Sequence, residues 1–409
     1  MDNPASPATR KALFLTGEMT LGGGAMFVMN VCEGLRGIGG EWQGVAGVFS
    51  NLGEVGQQML DRGLPVIGPF EDAVLHEEYM EAMHAECARL KPDAVVANLG
   101  GDAFDFMRLV PSGVLRVGVI HSDRENVYRL VNAYSEWLDV VVAVSTHAAE
   151  VFRKSKKDGE LKVTSLSCGI PISSKTRERS SGGPLRVLYL GRLVDEQKRA
   201  TVMGRIIRES LRRQPSMEWT LIGDGPQLEP MRKSFSDVEG DVRFTGPLGY
   251  AAVQESLPQH DVFFLCSDYE GLPLSMLEGM SAGLVPVVSD LPSGISEVVH
   301  DDNGIRVPMN EESAYVDALL RLSENPETLE SMSKQARKDV IDEYSAQAMA
   351  RRWSGLLSEH GPADGAVWEL REPVGVPPIS KSSWIHHPRL RPLRRIMRKL
   401  CKRKKKVHS

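Results

Sequence analysis

The stretch Val262–Val288, VFFLCSDYEGLPLSMLEGMSAGLVPVV, is the densest in the 409-residue chain. Val262–Leu265 is a short apolar run rich in β-formers and reads as a buried strand. Ser267–Leu272 is a loop carrying Glu270 and Gly271. Pro273 opens a helical pattern that takes in Leu274–Met280, with Glu278 in its early turns, because proline suits the first turn of a helix. Val285–Val288 is the next buried strand. A strand, a helix and a strand within 27 residues make a crossover unit, and such a unit specifies two parallel strands.

The same alternation extends in both directions. Upstream, Leu185–Leu190, Trp219–Ile222 and Val242–Thr245 read as strands, and Gly304–Val307 follows downstream. Helical patterns fill the gaps at Val202–Leu211 and Ala314–Leu322. Further helices are expected at Pro326–Glu343 and Ser345–Glu359. The N-terminal half repeats the scheme with strands at Ala12–Leu15, Val45–Val48, Pro65–Ile67, Ala94–Ala97, Leu115–Ile120 and Val140–Val144. Its helical patterns include Ala25–Leu35 and Tyr79–Leu90. The expected fold class is therefore α/β, with two Rossmann-like doubly wound parallel-sheet domains facing a central cleft. The expected division is 1–172 for the first domain and 185–344 for the second. The polar run 173–184 is the linker. The helix at 345–360 packs back on the first domain, and 361–409 is a Pro/Gly-rich connection with a basic tail.

Composition bounds the function. A hydrophobic share of 42% with 25% charged residues is globular. The five cysteines are dispersed, without a CxxC pair or zinc spacing, so the expectation is reduced thiols and a cytoplasmic setting. A signal-peptide pattern and a 20-residue apolar run are both missing. The net charge is −5, yet Lys381–Ser409 holds 12 Lys and Arg and no acid, which leaves −17 on residues 1–380. An acidic body argues against nucleic acid as a partner.

Chemistry is expected where strands end. Gly22-Gly23-Gly24 lies between the first strand and its helix. Such a turn either receives an anion on bare N–H groups or is only a tight connection. His121 follows the fifth strand, where an imidazole either reaches into a ligand site or has only a structural place. Gly191-Arg192-Leu193 and Lys198 follow the first strand of the second domain. Two cations there suit a diphosphate, with a solvated basic loop as the alternative. Gly223-Asp224-Gly225-Pro226 and Gly246-Pro247-Leu248 end the next two strands. Glu270 and Glu278 are carboxylates able to accept hydrogen bonds from vicinal hydroxyls.

Taken in order, these residues resemble the retaining GT-B glycosyltransferases of family 4, the glycosyl transferases group 1, over roughly residues 12 to 357. The carriers are Gly191-Arg192-Leu193…Lys198, Gly223-Asp224-Gly225-Pro226, Glu270…Glu278 and the small-residue segment Ser281–Val288. Three departures from the family pattern stand out: Arg199 where many members have Gly, an Arg192-to-Lys198 spacing one residue longer than often seen, and Ser167-Cys168-Gly169-Ile170 where Asn-Gly-Ile is frequent.

The resemblance implies a hexosyltransferase acting on a nucleotide-diphosphate sugar, with a glycan or lipid-linked acceptor. Arg192 and Lys198 would bind the diphosphate. Glu270, with the N–H groups of the segment Gly271, Leu272, Pro273 and Leu274, would hold hydroxyls of the donor sugar. Glu278 would hold the ribose, and Gly225, Gly246, Pro247 and Leu248 would lie along the nucleotide. Gly22–Gly24 would face phosphate or acceptor, and His121 the transferred sugar. The chain contains no Asp-x-Asp pair, and Arg192 with Lys198 can supply the positive charge, so the expectation is no metal and no cofactor. Two other functions fit the same fold: a non-catalytic nucleotide-sugar-binding subunit and a nucleotide-sugar epimerase.

The tail carries Leu390, Leu393, Ile396, Met397 and Leu400 at helical spacing among arginines and lysines, after Trp384. That pattern predicts a basic amphipathic helix on the inner face of an anionic membrane, with a solvated tail or a nucleic-acid arm as alternatives.

Overall fold

The computed structural model describes residues 9–73, 75–155, 161–178, 183–238, 242–359 and 366–369. They fall into two compact units. The first takes the described residues of 1–143, 149–166 and 349–409, and the second takes 144–148 and 167–348. The basic tail and Trp384 lie outside the described residues.

Unit 1 holds seven parallel strands in the order β3-β2-β1-β4-β5-β6-β7. They are β1 (Arg10–Glu18), β2 (Trp42–Asn51), β3 (Val66–Ile67), β4 (Ala94–Leu99), β5 (Leu115–Ile120), β6 (Val140–Ala143) and β7 (Lys162–Ser165). The helices that follow successive strands are α1 (Gly23–Ile38), α2 (Gly53–Asp61), α3 (His76–Leu90), α4 (Gly101–Phe106), α5 (Glu125–Ala133) and α6 (Thr146–Ser155). The order reverses between β1 and β4, so the carboxyl ends of those strands diverge and leave an opening for a ligand. The central strands are covered on both faces, which is why they read as unbroken apolar runs: Ala12–Leu15 and Ala94–Ala97 are fully buried.

Unit 2 holds six parallel strands in the order β10-β9-β8-β11-β12-β13, with the reversal between β8 and β11. The strands are β8 (Arg186–Leu190), β9 (Glu218–Ile222), β10 (Val242–Gly246), β11 (Val262–Leu265), β12 (Val285–Ser289) and β13 (Ile305–Val307). Their helices are α7 (Asp195–Lys198), α8 (Ala200–Arg213), α9 (Leu228–Ser234), α10 (Tyr250–Ser256), α11 (Leu274–Ser281), α12 (Gly294–Val298), α13 (Glu312–Glu324) and α14 (Pro326–Glu343). Trp219 packs edge-on against Phe264 at 5.1 Å, and Phe264 meets Tyr315 at 5.5 Å, joining β9, β11 and α13 in one core.

The closing helix α15 (Ala346–Ser358) starts in unit 2 and enters unit 1 at Met349. Its Trp353 is fully buried, with ring centroids 5.4 Å from Phe14 and 5.8 Å from Phe27. The polar run after Ile170 is not free chain where it is described. Arg177 donates its backbone N–H to Ala282 O at 2.7 Å, and its guanidinium meets the fully buried Asp261 at 3.0 Å. A buried carboxylate needs such partners, and Arg186 supplies a second at 3.0 Å.

Candidate active site

In unit 2 the ends of three adjacent strands are laced together by backbone. Gly191 N–H donates to Ile222 O at 3.0 Å, Leu193 N–H to Asp224 O at 2.8 Å, and Gly223 N–H to Gly246 O at 3.0 Å. The glycines are required by geometry. Gly223 has φ of 146°, and a Cβ there would stand 1.9 Å from Gly191 O. Gly225 has φ of 149°, and its Cβ would stand 2.4 Å from Leu193 O. Both conformations belong to glycine. The three glycine segments singled out in the sequence are thus one continuous rim, with Pro247 exposed and Leu248 half-buried at its far end.

Tyr189, on β8, braces this rim by donating its hydroxyl to Arg192 O at 2.7 Å. The Arg192 side chain is exposed and makes no hydrogen bond or ion pair among the described residues. Lys198 ends α7 and turns inward. Its Nζ donates to Glu270 Oε1 at 2.5 Å, with side-chain exposures of 13% and 7%. Its stem lies beside Gly191, where a Cβ would stand 3.8 Å from Lys198 Cε. The loop from β8 and the loop from β11 therefore meet across the strand-order reversal of unit 2, through this ion pair.

Neighbouring residues hold the two loops in register. Asp268 N–H donates to Gln197 O at 2.8 Å, and Gln197 Nε2 donates to Tyr269 O at 3.2 Å. Arg199 sits at φ of 52°, a left-handed position that disfavours a side chain, which accounts for the glycine common there in the resembled family. Its guanidinium offsets the strain by pairing with Asp268 at 3.3 Å and donating to Asn310 Oδ1 at 3.1 Å. Tyr189, Gln197, Asp268 and Asn310 carried no sequence signal of their own, because their partners are tens of residues away or belong to loops.

Past Glu270, Gly271–Leu274 is buried, and Gly271 O accepts from Gly294 N–H at 2.8 Å. The helix α11 opens on Pro273 with no capping side chain, so its first N–H groups are not taken by one. Glu278 lies in its second turn. It retains 8% exposure, and its carboxylate has no hydrogen bond or ion pair among the described residues. Burial pushes its pKa up to about 7.

In unit 1 the expected Gly22–Gly24 turn opens α1, and Gly24 faces Leu99, whose Cδ1 lies 1.7 Å from where a Cβ would be. His121 follows β5. Its Nε2 is 2.5 Å from Asn98 Oδ1, and Asn98 Nδ2 donates to Gly24 O at 3.1 Å. Burial lowers the His121 pKa to about 4, so the ring is neutral at pH 7. Asn98 joins two residues singled out in the sequence and was itself overlooked.

Comparison with known proteins places this geometry. Residues 184–325 match the model for glycosyl transferases group 1. The fold comparison is broader. TarM of S. aureus superimposes with a TM-score of 0.72 at 13% identity, over 85% of this chain and 99% of that one. Anabaena Alr3699/HepE, solved with UDP and glucose, gives 0.69 at 17% identity over 85% and 99%. The chain has the GT-B fold.

Among curated sequences, WcaL of Salmonella typhimurium, assigned by name to colanic acid biosynthesis as a glycosyltransferase, is 27% identical over 67% of this chain and 73% of its own. The amylovoran biosynthesis glycosyltransferase AmsK of Erwinia amylovora is 30% identical over 42% of this chain and 44% of its own. The O-antigen biosynthesis glycosyltransferase WbnH of Escherichia coli is 27% identical over 46% and 52%. These matches support the glycosyltransferase superfamily, a transferase activity and transfer of a sugar. Among the described residues, no helix is long and apolar enough to cross a membrane.

Proposed function

We propose that this chain is a retaining hexosyltransferase. It moves a sugar from a nucleotide-diphosphate donor to a glycan or lipid-linked acceptor, without a metal, in the synthesis of cell-surface polysaccharide. The observation that carries the reading is the meeting of Lys198 with Glu270 at the strand-order reversal of unit 2, just ahead of α11, whose second turn carries the carboxylate of Glu278, without a partner among the described residues.

Each group has a chemical task there. Arg192 and Lys198 offset the negative charge that grows on the diphosphate as the bond from the anomeric carbon to its oxygen breaks. Glu270, already held by the ammonium, accepts from hydroxyls of the donor sugar. Glu278 accepts from the ribose hydroxyls, which would supply the hydrogen bonds its buried carboxylate lacks. The rim from Gly223 to Leu248 lies along the nucleotide. The acceptor hydroxyl attacks the anomeric carbon on the face the diphosphate leaves, and its proton passes to the departing phosphate oxygen. His121 contacts the transferred sugar. The polybasic segment 384–406 attaches the enzyme to the inner face of the cytoplasmic membrane.

The test is to incubate the purified protein with UDP-, GDP- and ADP-sugars and a glycan acceptor pool, with and without EDTA. The anomeric configuration of the product is then read by NMR. Product with the configuration of the donor, formed equally in EDTA, is the expected outcome. An inverted product, or one that forms only with a divalent cation, contradicts the reading.

A further inference from the structure

Asn98 is completely buried at the end of β4, beside the strand-order reversal of unit 1. Both ends of its amide are in use. Gly24 O is a carbonyl and can only accept, so the group that faces it at 3.1 Å is the NH2 of Asn98. The opposite end, facing His121 Nε2 at 2.5 Å, is then the amide oxygen. An oxygen cannot donate, so His121 Nε2 must carry the hydrogen. The orientation of the amide follows from the backbone it bonds, and the tautomer of the imidazole follows from the amide.

The rest of the ring is defined by the same logic. Burial alone acts on its titration, and no charged side chain from the neighbouring elements contributes. A neutral imidazole protonated on Nε2 has a lone pair on Nδ1, and Nδ1 makes no hydrogen bond among the described residues. Phe27, from α1, meets the ring edge-on at 4.9 Å and limits its rotation.

We infer that Asn98 is a positioning residue: it locks His121 as the Nε2–H tautomer, ties it to the first turn of α1 at Gly24, and presents Nδ1 as an acceptor for a ligand hydroxyl. The tautomer and the tie to Gly24 stand on geometry alone. The consequence for turnover rests on the sugar-transfer reading.

The experiment is long-range 15N–1H NMR on the full chain labelled at histidine, with His121 assigned by its loss in His121→Gln. In the wild type at pH 7 the ring should be neutral, with its hydrogen on Nε2. Asn98→Ala should give a mixture of tautomers. Asn98→Asp keeps an acceptor for Nε2–H but adds a carboxylate, which favours the imidazolium and should raise the His121 pKa by more than one unit. With a donor and acceptor in hand, Asn98→Ala should lower kcat about tenfold while the nucleotide Kd stays within twofold. A hydrogen on Nδ1 in the wild type overturns the proposal, and so does an unchanged tautomer in Asn98→Ala. The wild-type spectrum decides even where a variant does not fold. Absence of any sugar transfer by the wild type defeats the functional reading and leaves the tautomer result to judge Asn98.

Discussion

Lys198 Nζ lies 2.5 Å from Glu270 Oε1, and both side chains are nearly enclosed. The pair joins the loops after β8 and β11, the two strands between which the order of the unit 2 sheet reverses. A buried pair of this kind adds little net stability against an apolar pair of similar volume. It does fix an ammonium and a carboxylate at one mouth. Arg192, by contrast, is exposed and unpaired among the described residues, so its charge is available to an incoming anion.

Glu278 sets a pH dependence. Its folded pKa of about 7 lies above the ordinary 4.5, so the folded chain binds the proton more tightly than the unfolded chain does. The associated stability is present below about pH 4.5 and is lost as pH rises through 7, a change of about 3 kcal/mol. Glu278→Gln should therefore melt higher than the wild type at pH 8 and lose that advantage at pH 5, while binding nucleotide more weakly. Calorimetric melting at the two pH values, with titration of nucleotide, checks both. Equal differences at the two pH values contradict the assignment.

The rim glycines should not tolerate a side chain. Gly223→Ala places a Cβ against Gly191 O at a φ of 146°. Strain of about 1–3 kcal/mol is expected, together with displacement of the Gly191–Leu193 loop. Denaturant unfolding measures the first. Loss of nucleotide binding below the melting temperature measures the second, and a variant that binds as the wild type does would show the rim to be dispensable.

Asp261 is a purely structural test. It accepts from Arg186 N–H at 3.0 Å and pairs with the guanidinium groups of Arg177 and Arg186. Asp261→Ala removes the buried carboxylate shared by Arg177 and Arg186 and leaves Arg177 with Glu330 as its acidic partner, at a cost of about 1–3 kcal/mol. The loss should appear as a lower denaturant midpoint in unit 2, with nucleotide affinity unchanged in the protein that remains folded.

The basic tail gives a separable outcome. Truncation after residue 369 should leave the melting temperature within a few degrees and abolish sedimentation with anionic vesicles, since each basic residue near such a surface contributes about 1 kcal/mol. Neutral vesicles should bind neither form. Vesicle binding that survives truncation would move the attachment into the body of the protein.

Much of this architecture was legible in the sequence, for a physical reason. Strands buried on both faces must be apolar throughout, so Val262–Leu265 and Val140–Ala143 declare themselves. The strand missed was Lys162–Ser165, which lies at the edge of the unit 1 sheet, is only half-buried, and so has no need of an apolar run. The described part of the polar linker was misleading for a related reason: Arg177 looks like solvated chain until the buried Asp261 it serves is seen. At the site, glycine and paired cations at strand ends were visible because strand ends can be located. Asn98, Tyr189 and Gln197 were not, because each acts through hydrogen bonds to groups that only the folded loops and strand ends bring into reach.

The role proposed for Lys198 and Glu270 in the transfer rests on the charge that Lys198 brings to the diphosphate. The most direct test compares the rate of nucleoside diphosphate release from the preferred donor by wild type and Lys198→Ala, at saturating donor and acceptor. A fall of about 10²–10³ in kcat with an unchanged fold is expected. A variant that turns over at the wild-type rate would contradict it.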